Sequence, residues 1–281
     1  INSLNAKETA KKFNANIATT DFNEILKDPN VDMVMICTRH NLHGSMVLES
    51  LKANKHTFVE KPLCTTKEEL DAITDFYNST FNIKHSTLPL LMVGFNRRFS
   101  PFAKKIKEQI KNRTNPMIIS YRMNAGYIPL DHWVHEDGGR IIGEGCHIID
   151  LFNYFTESEI KSVSVDKINP NTKAISSNDN VSINIKYKDG SVANLIYTAL
   201  GNSKYPKENL ELYCDNIIYK VTDYLELEIF GDKITKEVLK QQDKGHLQEL
   251  IEFHDTLIGK GEKLPIKLDD MIQTTKTTFL V

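Results

Sequence analysis

Two short stretches hold side chains of the types, and at the spacings, that acid–base and electrostatic catalysis use. Glu60-Lys61-Pro62 follows the apolar run Thr57-Phe58-Val59, which puts the lysine at the C-terminal end of a predicted strand, where open α/β sheets place their ligand crevice. An ammonium there can sit beside a substrate hydroxyl and stabilise developing oxyanion charge. Read alone, Lys61 is more simply a surface lysine in a strand–helix loop. The second stretch is Gly138-Gly139-Arg140-Ile141-Ile142-Gly143-Glu144-Gly145-Cys146-His147-Ile148-Ile149-Asp150. On a helix, Glu144, His147 and Asp150 share one face, and an imidazole between two carboxylates can be oriented as a general base. The competing reading is a core histidine capped by an acidic neighbour. Glycine costs ~1 kcal/mol against alanine in a helix interior, so a cluster here points to close approach of a ligand or another backbone.

The elements that must position these groups alternate over the first hundred residues. Helical patterns at 6–13, 21–27 and 43–53 are interleaved with short apolar runs at 31–36, 56–60 and 90–95, the grammar of parallel βαβ units covered on both faces. Thr65 with Glu68 and Thr66 with Glu69 are capping-box spacings that predict a helix start. Ser100-Pro101 reads as an N-cap with proline at the first helical position, opening a helix to about Asn112. The grammar then changes. Val181, Ile183, Ile185 and Tyr187 alternate, Lys188-Asp189-Gly190 turns, and a strand returns over 191–198, which is a hairpin. Further strands are predicted at 118–124, 161–168, 208–214, 217–221 and 224–230, and helices at 246–258 and 268–280. The fold class is therefore α/β: a Rossmann-like parallel unit over 1–97, then an α+β unit over 98–281 with a large, mostly antiparallel open-faced sheet.

Composition narrows the function classes. The chain is 40% apolar and 26% charged with a formal charge of -2, which excludes intrinsic disorder and leaves no electrostatic footprint for nucleic acid. No apolar window is long enough to span a membrane. Cys37, Cys64, Cys146 and Cys214 form no C-x-x-C, so reduced thiols and a cytoplasmic location are expected. None of the 13 glycines form G-x-G-x-x-G; the pairs Gly143/Gly145 and Gly259/Gly261 lie in or after helices, where a phosphate loop does not form. The chain opens on Ile1 and stops in mid-pattern, so it is read as a fragment whose phosphate loop lies before Ile1.

Together these pieces resemble the Gfo/Idh/MocA oxidoreductases. The matching residues are Asp28-Pro29-Asn30-Val31-Asp32, Cys37-Thr38 with His43, Glu60-Lys61-Pro62, Val93-Gly94-Phe95-Asn96-Arg97-Arg98-Phe99, and Gly138-Gly139 with His147-x-x-Asp150. They occur in the family's order and cover nearly the whole chain. The resemblance implies NAD or NADP as cofactor, with Thr38, His40, His43, Glu60, Lys61 and Arg97 lining it. It implies that Lys61 contacts the substrate hydroxyl, that His147 takes its proton, and that Asp150, with Glu144 as a substitute, anchors the substrate. Tyr127 is expected in the substrate pocket, and Trp133 either as a wall of that pocket or in the core. A sugar or cyclitol is the implied substrate, the open sheet face the implied contact of a homodimer or homotetramer, and no metal is needed, against a reading of His132, His135, Cys146 and His147 as ligands. The sequence departs from the family at Gly143, where an aspartate is usual, and at Arg39 and His40, where proline and asparagine are usual. Gly126-Tyr127-Ile128-Pro129 and the Gly-Glu-Gly-Cys-His run are similar to a subgroup in which an alcohol-dehydrogenase-like module comes first. Two rival functions stay open: a nicotinamide-dependent glycosidase on the same fold, and a non-catalytic sensor favoured by Gly143. Lys104-Lys105-Ile106-Lys107 is read as a solvated helix face, and Lys244-Gly245-His246 as a helix cap, with a buried partner role as the alternative.

Overall fold

The computed structural model describes residues 3–81, 88–261 and 264–281; Ile1, on which the fragment reading rests, lies outside them. After α1 (Ser3–Phe13) and α2 (Phe22–Lys27), the strands β1 (Met33–Ile36), β2 (His56–Val59) and β3 (Leu91–Val93) make a three-stranded parallel sheet in the order β1-β2-β3. The pairing Met35↔Phe58 and Phe58↔Met92 fixes its register. The crossovers are α3 (His43–Lys52) and α4 (Lys67–Phe81), whose Val47, Leu51 and Ile73 bury against Ile36, Phe58, Val59 and Met92. The start of α4 follows from local chemistry. Thr66 Oγ1 accepts the Glu69 N–H, and the Glu69 carboxylate reaches back to the Thr65 N–H. Glu69 thus does the work expected of both glutamates, and Glu68 stays outside the box.

The second unit starts where expected, with Ser100 Oγ accepting the Ala103 N–H and Pro101 opening α5 (Pro101–Gln109). The strands β4 (Ile118–Asn124), β5 (Ile160–Lys167), β6 (Asn180–Tyr187), β7 (Val192–Thr198), β8 (Glu208–Cys214), β9 (Ile217–Thr222), β10 (Glu226–Phe230) and β11 (Ile234–Val238) form one sheet. Its order is β11-β10-β9-β8-β4-β7-β6-β5, with β4–β7 the parallel pair. Between β4 and β5 run the short α6 (Trp133–Glu136), a π-helical turn over Ile141–Gly145, and α7 (Cys146–Thr156). The glycines expected inside a helix therefore occupy a widened turn in front of it. Alternation along the strands turns Tyr121, Ile183, Leu195 and Leu210 toward Phe102, Ile106, Ile149 and Phe152 of α5 and α7, while Ile118, Ile196 and Tyr213 stay exposed on the other face.

The chain then returns. α8 (His246–Leu257) and α9 (Leu268–Thr278) belong to the second unit by sequence, yet Phe253, Ile266 and Met271 bury in the core of the first. Phe253 meets Phe58 with ring centroids 6.1 Å apart. α9 thereby packs against both β3 and α7, and α8 against the Asn96–Phe99 turn after β3; this junction is where the candidate site lies. The lysines of α5 are not simply solvated. Lys104 pairs with Glu252, Lys105 with Glu237 and Lys107 with Glu157, so this face joins elements distant in sequence. No helix among the described residues is long and apolar enough to cross a membrane.

Candidate active site

Lys61 leaves β2 at the C-terminal edge of the parallel sheet, and its Nζ donates to the Gly143 carbonyl at 2.8 Å. One helical turn further on, His147 opens α7. The ammonium of one unit is thus tied to the turn that carries the imidazole of the other. His147 is 6% exposed, and its Nδ1 is buried with no partner. Burial pushes its pKa well below the ordinary histidine range, and the positive charges of Arg97, Lys61, His246 and Lys244 push it further. The ring is neutral at neutral pH, the form in which an imidazole accepts a proton.

A second imidazole stands beside the same ammonium. His40, in the 3₁₀ turn His40–Leu42 after β1, is buried, and its Nδ1 has no hydrogen-bond partner. Burial, then the charges of Lys61 and His43, outweigh a hydrogen bond to the Asp137 backbone and push its pKa down to about 4. Its ring meets Trp133 edge-on at 5.1 Å, and Arg39 lies over that indole at 5.4 Å. Arg140 fixes the preceding loop by donating to the carbonyls of Ala125 and Gly126. Tyr127 is in the same loop but 59% exposed.

The structure corrects several sequence expectations. Asp150 is not presented to the cleft: it is fully buried and bound by Arg98 through Nε at 2.8 Å and Nη2 at 2.6 Å. Burial raises its pKa to about 6 against the pull of Arg98, so at neutral pH both partners are charged. Glu144 does not flank His147 either. Tyr197 (2.5 Å), Lys207 (2.7 Å) and Arg140 (3.3 Å) hold it. Burial would raise its pKa, but Lys207, Tyr197 and Arg140 outweigh that and lower it. The imidazole between two carboxylates therefore does not form: Glu144 lies in the π-helical turn ahead of α7, and Asp150, within α7, is taken up by Arg98. Arg97 does not face the cofactor edge. It is buried in a fork with Glu208, at 2.7 and 3.1 Å. His43 is fully buried, with Nδ1 2.7 Å from the Pro62 carbonyl and Nε2 3.1 Å from that of Thr38, so it lies wedged between the loops after β1 and β2. Thr38 remains exposed and Glu60 half-buried at the sheet edge. Among the described residues no three His, Cys, Asp or Glu side chains are grouped to hold a metal; Cys146, of the set read as ligands, is a buried thiol pushed up to about 12 by desolvation.

Sequence reasoning missed a second layer under the site. Glu208 on β8 gathers Arg97, Lys244 (2.6 Å) and the Tyr121 hydroxyl (2.5 Å), joining the turn after β3 to the second sheet and to the start of α8. Burial would raise its pKa, but Arg97 and Lys244 outweigh that and hold it at about 2. Lys244 thus does more than precede a cap, although Gly245 does occupy the N-cap in the left-handed region, with φ +87°. Glu249 on α8 is buried with an unpaired Oε2, and burial, with the charges of Glu60 and Asp150, pushes it up to about 8. It is mostly protonated at neutral pH. Arg97 and Glu208 lie 111 residues apart, so no local spacing announces the pair, although Arg97 itself stood inside a recognised run.

A parallel sheet whose C-terminal edge is closed by helices of an open-faced mixed sheet is the two-part architecture of a class of oxidoreductases. The model described as "Oxidoreductase family, NAD-binding Rossmann fold" matches residues 1–84, and the GFO/IDH/MocA C-terminal domain matches 115–233. The chain belongs to the Gfo/Idh/MocA family. It is 30% identical over 162 residues to myo-inositol 2-dehydrogenase of Thermotoga maritima, covering 57% of this chain and 46% of that protein. It is 34% identical over 163 residues to levoglucosan dehydrogenase of Pseudarthrobacter phenanthrenivorans, covering 53% and 39%. The chain thus aligns with about half the length, or less, of these curated relatives. Its fold is similar to that of a levoglucosan dehydrogenase complexed with NADH and levoglucosan, with TM-score 0.80 and 20% identity over 99% of this chain and 85% of that one. It is also similar to that of UDP-N-acetylglucosamine 3-dehydrogenase from Acidithiobacillus ferrooxidans, with TM-score 0.81 and 19% identity over 100% and 86%.

Proposed function

We propose that this chain carries the site of a nicotinamide-dependent dehydrogenase that oxidises a secondary alcohol of a sugar, nucleotide sugar or cyclitol. The observation that carries the reading is the contact of Lys61 Nζ with the Gly143 carbonyl, one turn before a neutral, unpaired His147. The dehydrogenases among its relatives supply the chemical class.

The residues fit a nicotinamide cofactor in one respect that matters. Cys37, Thr38 and Arg39 are exposed at the C-terminal end of β1 and Glu60 is half-buried at the end of β2, which leaves that edge polar and uncovered, as dinucleotide sites in open α/β sheets require. Thr38, Glu60 and Lys61 would hold the cofactor there. When bound, it supplies the hydride acceptor. Lys61 holds the alcohol oxygen and favours its alkoxide character electrostatically. His147 takes the hydroxyl proton on its imidazole, and the cations Arg97, Lys244 and Lys61 around the ring favour rapid release of that proton. Asp150 and Glu208 act at one remove, by fixing Arg98 and Arg97 behind the helix start.

We further assign the exposed sheet face bearing Ile118, Ile196 and Tyr213 to contact between copies of the chain, to be read as a dimer or tetramer mass in solution.

The test is turnover by the intact protein with NAD and with NADP against a panel of sugars, nucleotide sugars and cyclitols. Formation of reduced cofactor is expected with at least one. Release of free sugar without net reduced cofactor, or tight binding with no turnover, contradicts the proposal.

A further inference from the structure

A side chain at position 143 would collide with His40. A Cβ built there lies 2.6 Å from His40 Cε1 and 3.1 Å from its Nδ1, and the imidazole has little room to retreat, since it packs edge-on against Trp133 and His43 at 5.1 and 5.9 Å. The close approach expected from the glycines is therefore made at Gly143 by an imidazole from the other unit, not by backbone. The same ring is 6% exposed and leaves Nδ1 buried and unpaired, an arrangement that is destabilising unless a partner arrives. His147 Nδ1 is in the same condition. Lys61 is close enough to both rings to perturb both electrostatically, and its ammonium sits on the carbonyl of the glycine that His40 covers. Two imidazoles from two units, each with a buried Nδ1 that has no partner, thus flank one ammonium.

Building on the dehydrogenase reading, we propose that His40 is a specificity-determining residue that hydrogen-bonds the hydroxyl next to the one being oxidised, and that position 143 is glycine to admit it. The substrate is then a vicinal diol, one hydroxyl shared by Lys61 and His147 and its neighbour met by His40, with Trp133 as the wall beside it. A neutral imidazole suits a hydroxyl, since it can donate or accept; a carboxylate or phosphate substituent at that position is not favoured.

The experiment uses the intact protein, a polyol substrate, and its analogue deoxygenated at the neighbouring carbon. Wild type is expected to lose kcat/KM on the analogue by roughly tenfold, the worth of one neutral hydrogen bond. His40→Leu should use both compounds equally, while His40→Asn, whose amide reaches about as far as Nδ1, should keep the discrimination. An unchanged ratio in His40→Leu, or no discrimination by wild type, overturns the proposal. Failure of the dehydrogenase reading shows earlier and differently, as no reduced cofactor from any polyol with wild type, and removes both. The steric half is read without turnover. Gly143→Ala should lower Tm by about 5 °C when His40 is present, and leave it unchanged or raise it in His40→Ala, because alanine outranks glycine in a helix. Equal losses in both backgrounds overturn the coupling.

Discussion

Asp150→Asn separates a structural carboxylate from a substrate-binding one. Asp150 is fully buried, and both its oxygens are held by Arg98, itself buried. Removing the charge while keeping the volume leaves a guanidinium without its main counter-ion in a dry interior, a change that costs about 3–5 kcal/mol where such pairs are broken. Asp270 lies 3.5 Å from Arg98 Nη1 and is partly exposed, so it offsets a fraction of the loss and places the expectation near ~3 kcal/mol. For a chain of this size that corresponds to a Tm lower by roughly 6–10 °C, measured by thermal unfolding beside steady-state kinetics. Because Asp150 reaches no ligand, KM should move less than threefold for the fraction that remains folded. The double substitution Arg98→Met with Asp150→Leu should recover most of the stability, since apolar side chains of similar volume replace buried pairs without loss. A variant with wild-type Tm and a strongly raised KM would refute the reasoning and return Asp150 to the substrate.

Two further predictions concern pH. Glu208 is held at about 2 against an ordinary value of 4.5, a difference that corresponds to about 3 kcal/mol of stability. Because the folded value is depressed, this contribution is complete above pH 4.5 and is lost as pH falls toward about 2; urea unfolding at a series of acid pH values should show it, and Glu208→Gln should be less stable at pH 7 with a flatter acid limb. His147 is held neutral by burial and surrounding cations, so kcat should stay flat as pH falls through the ordinary histidine range and lose its base only well below it. An acid limb centred near or above the ordinary histidine value would contradict that environment.

The elements were legible where local chemistry decides them. The Ser100-Pro101 start, the Lys188-Asp189-Gly190 hairpin and the continuous apolar strands all formed because caps, turns and periodicity act within a few residues. The edge strand β11 was not anticipated. Its Ile234-Thr235-Lys236-Glu237-Val238 is mostly exposed and interleaved with charge, so it pairs with β10 through backbone rather than through an apolar face. In the site, the position of Lys61 at the strand end was readable, since strand termini define the crevice. The environment of His147 was not, because regular helical spacing was extrapolated through Gly143 and Gly145, where the π-helical turn resets it. Asp150 and Arg97 show the other limit: a sequence motif names a charged residue but not its counter-ion, and Arg98 and Glu208 become partners only once segments distant in sequence pack together.

The central claim is that the Lys61 ammonium and the His147 imidazole act on one alcohol. Single-turnover rates of the intact protein, its Lys61→Met and His147→Asn variants and the double variant test it most directly. Each single substitution should slow the chemical step by roughly 10²–10⁴-fold, and the double should be little slower than the worse single, because groups acting as a unit are not additive. Single variants within fivefold of wild type, or losses that multiply fully in the double, would contradict it.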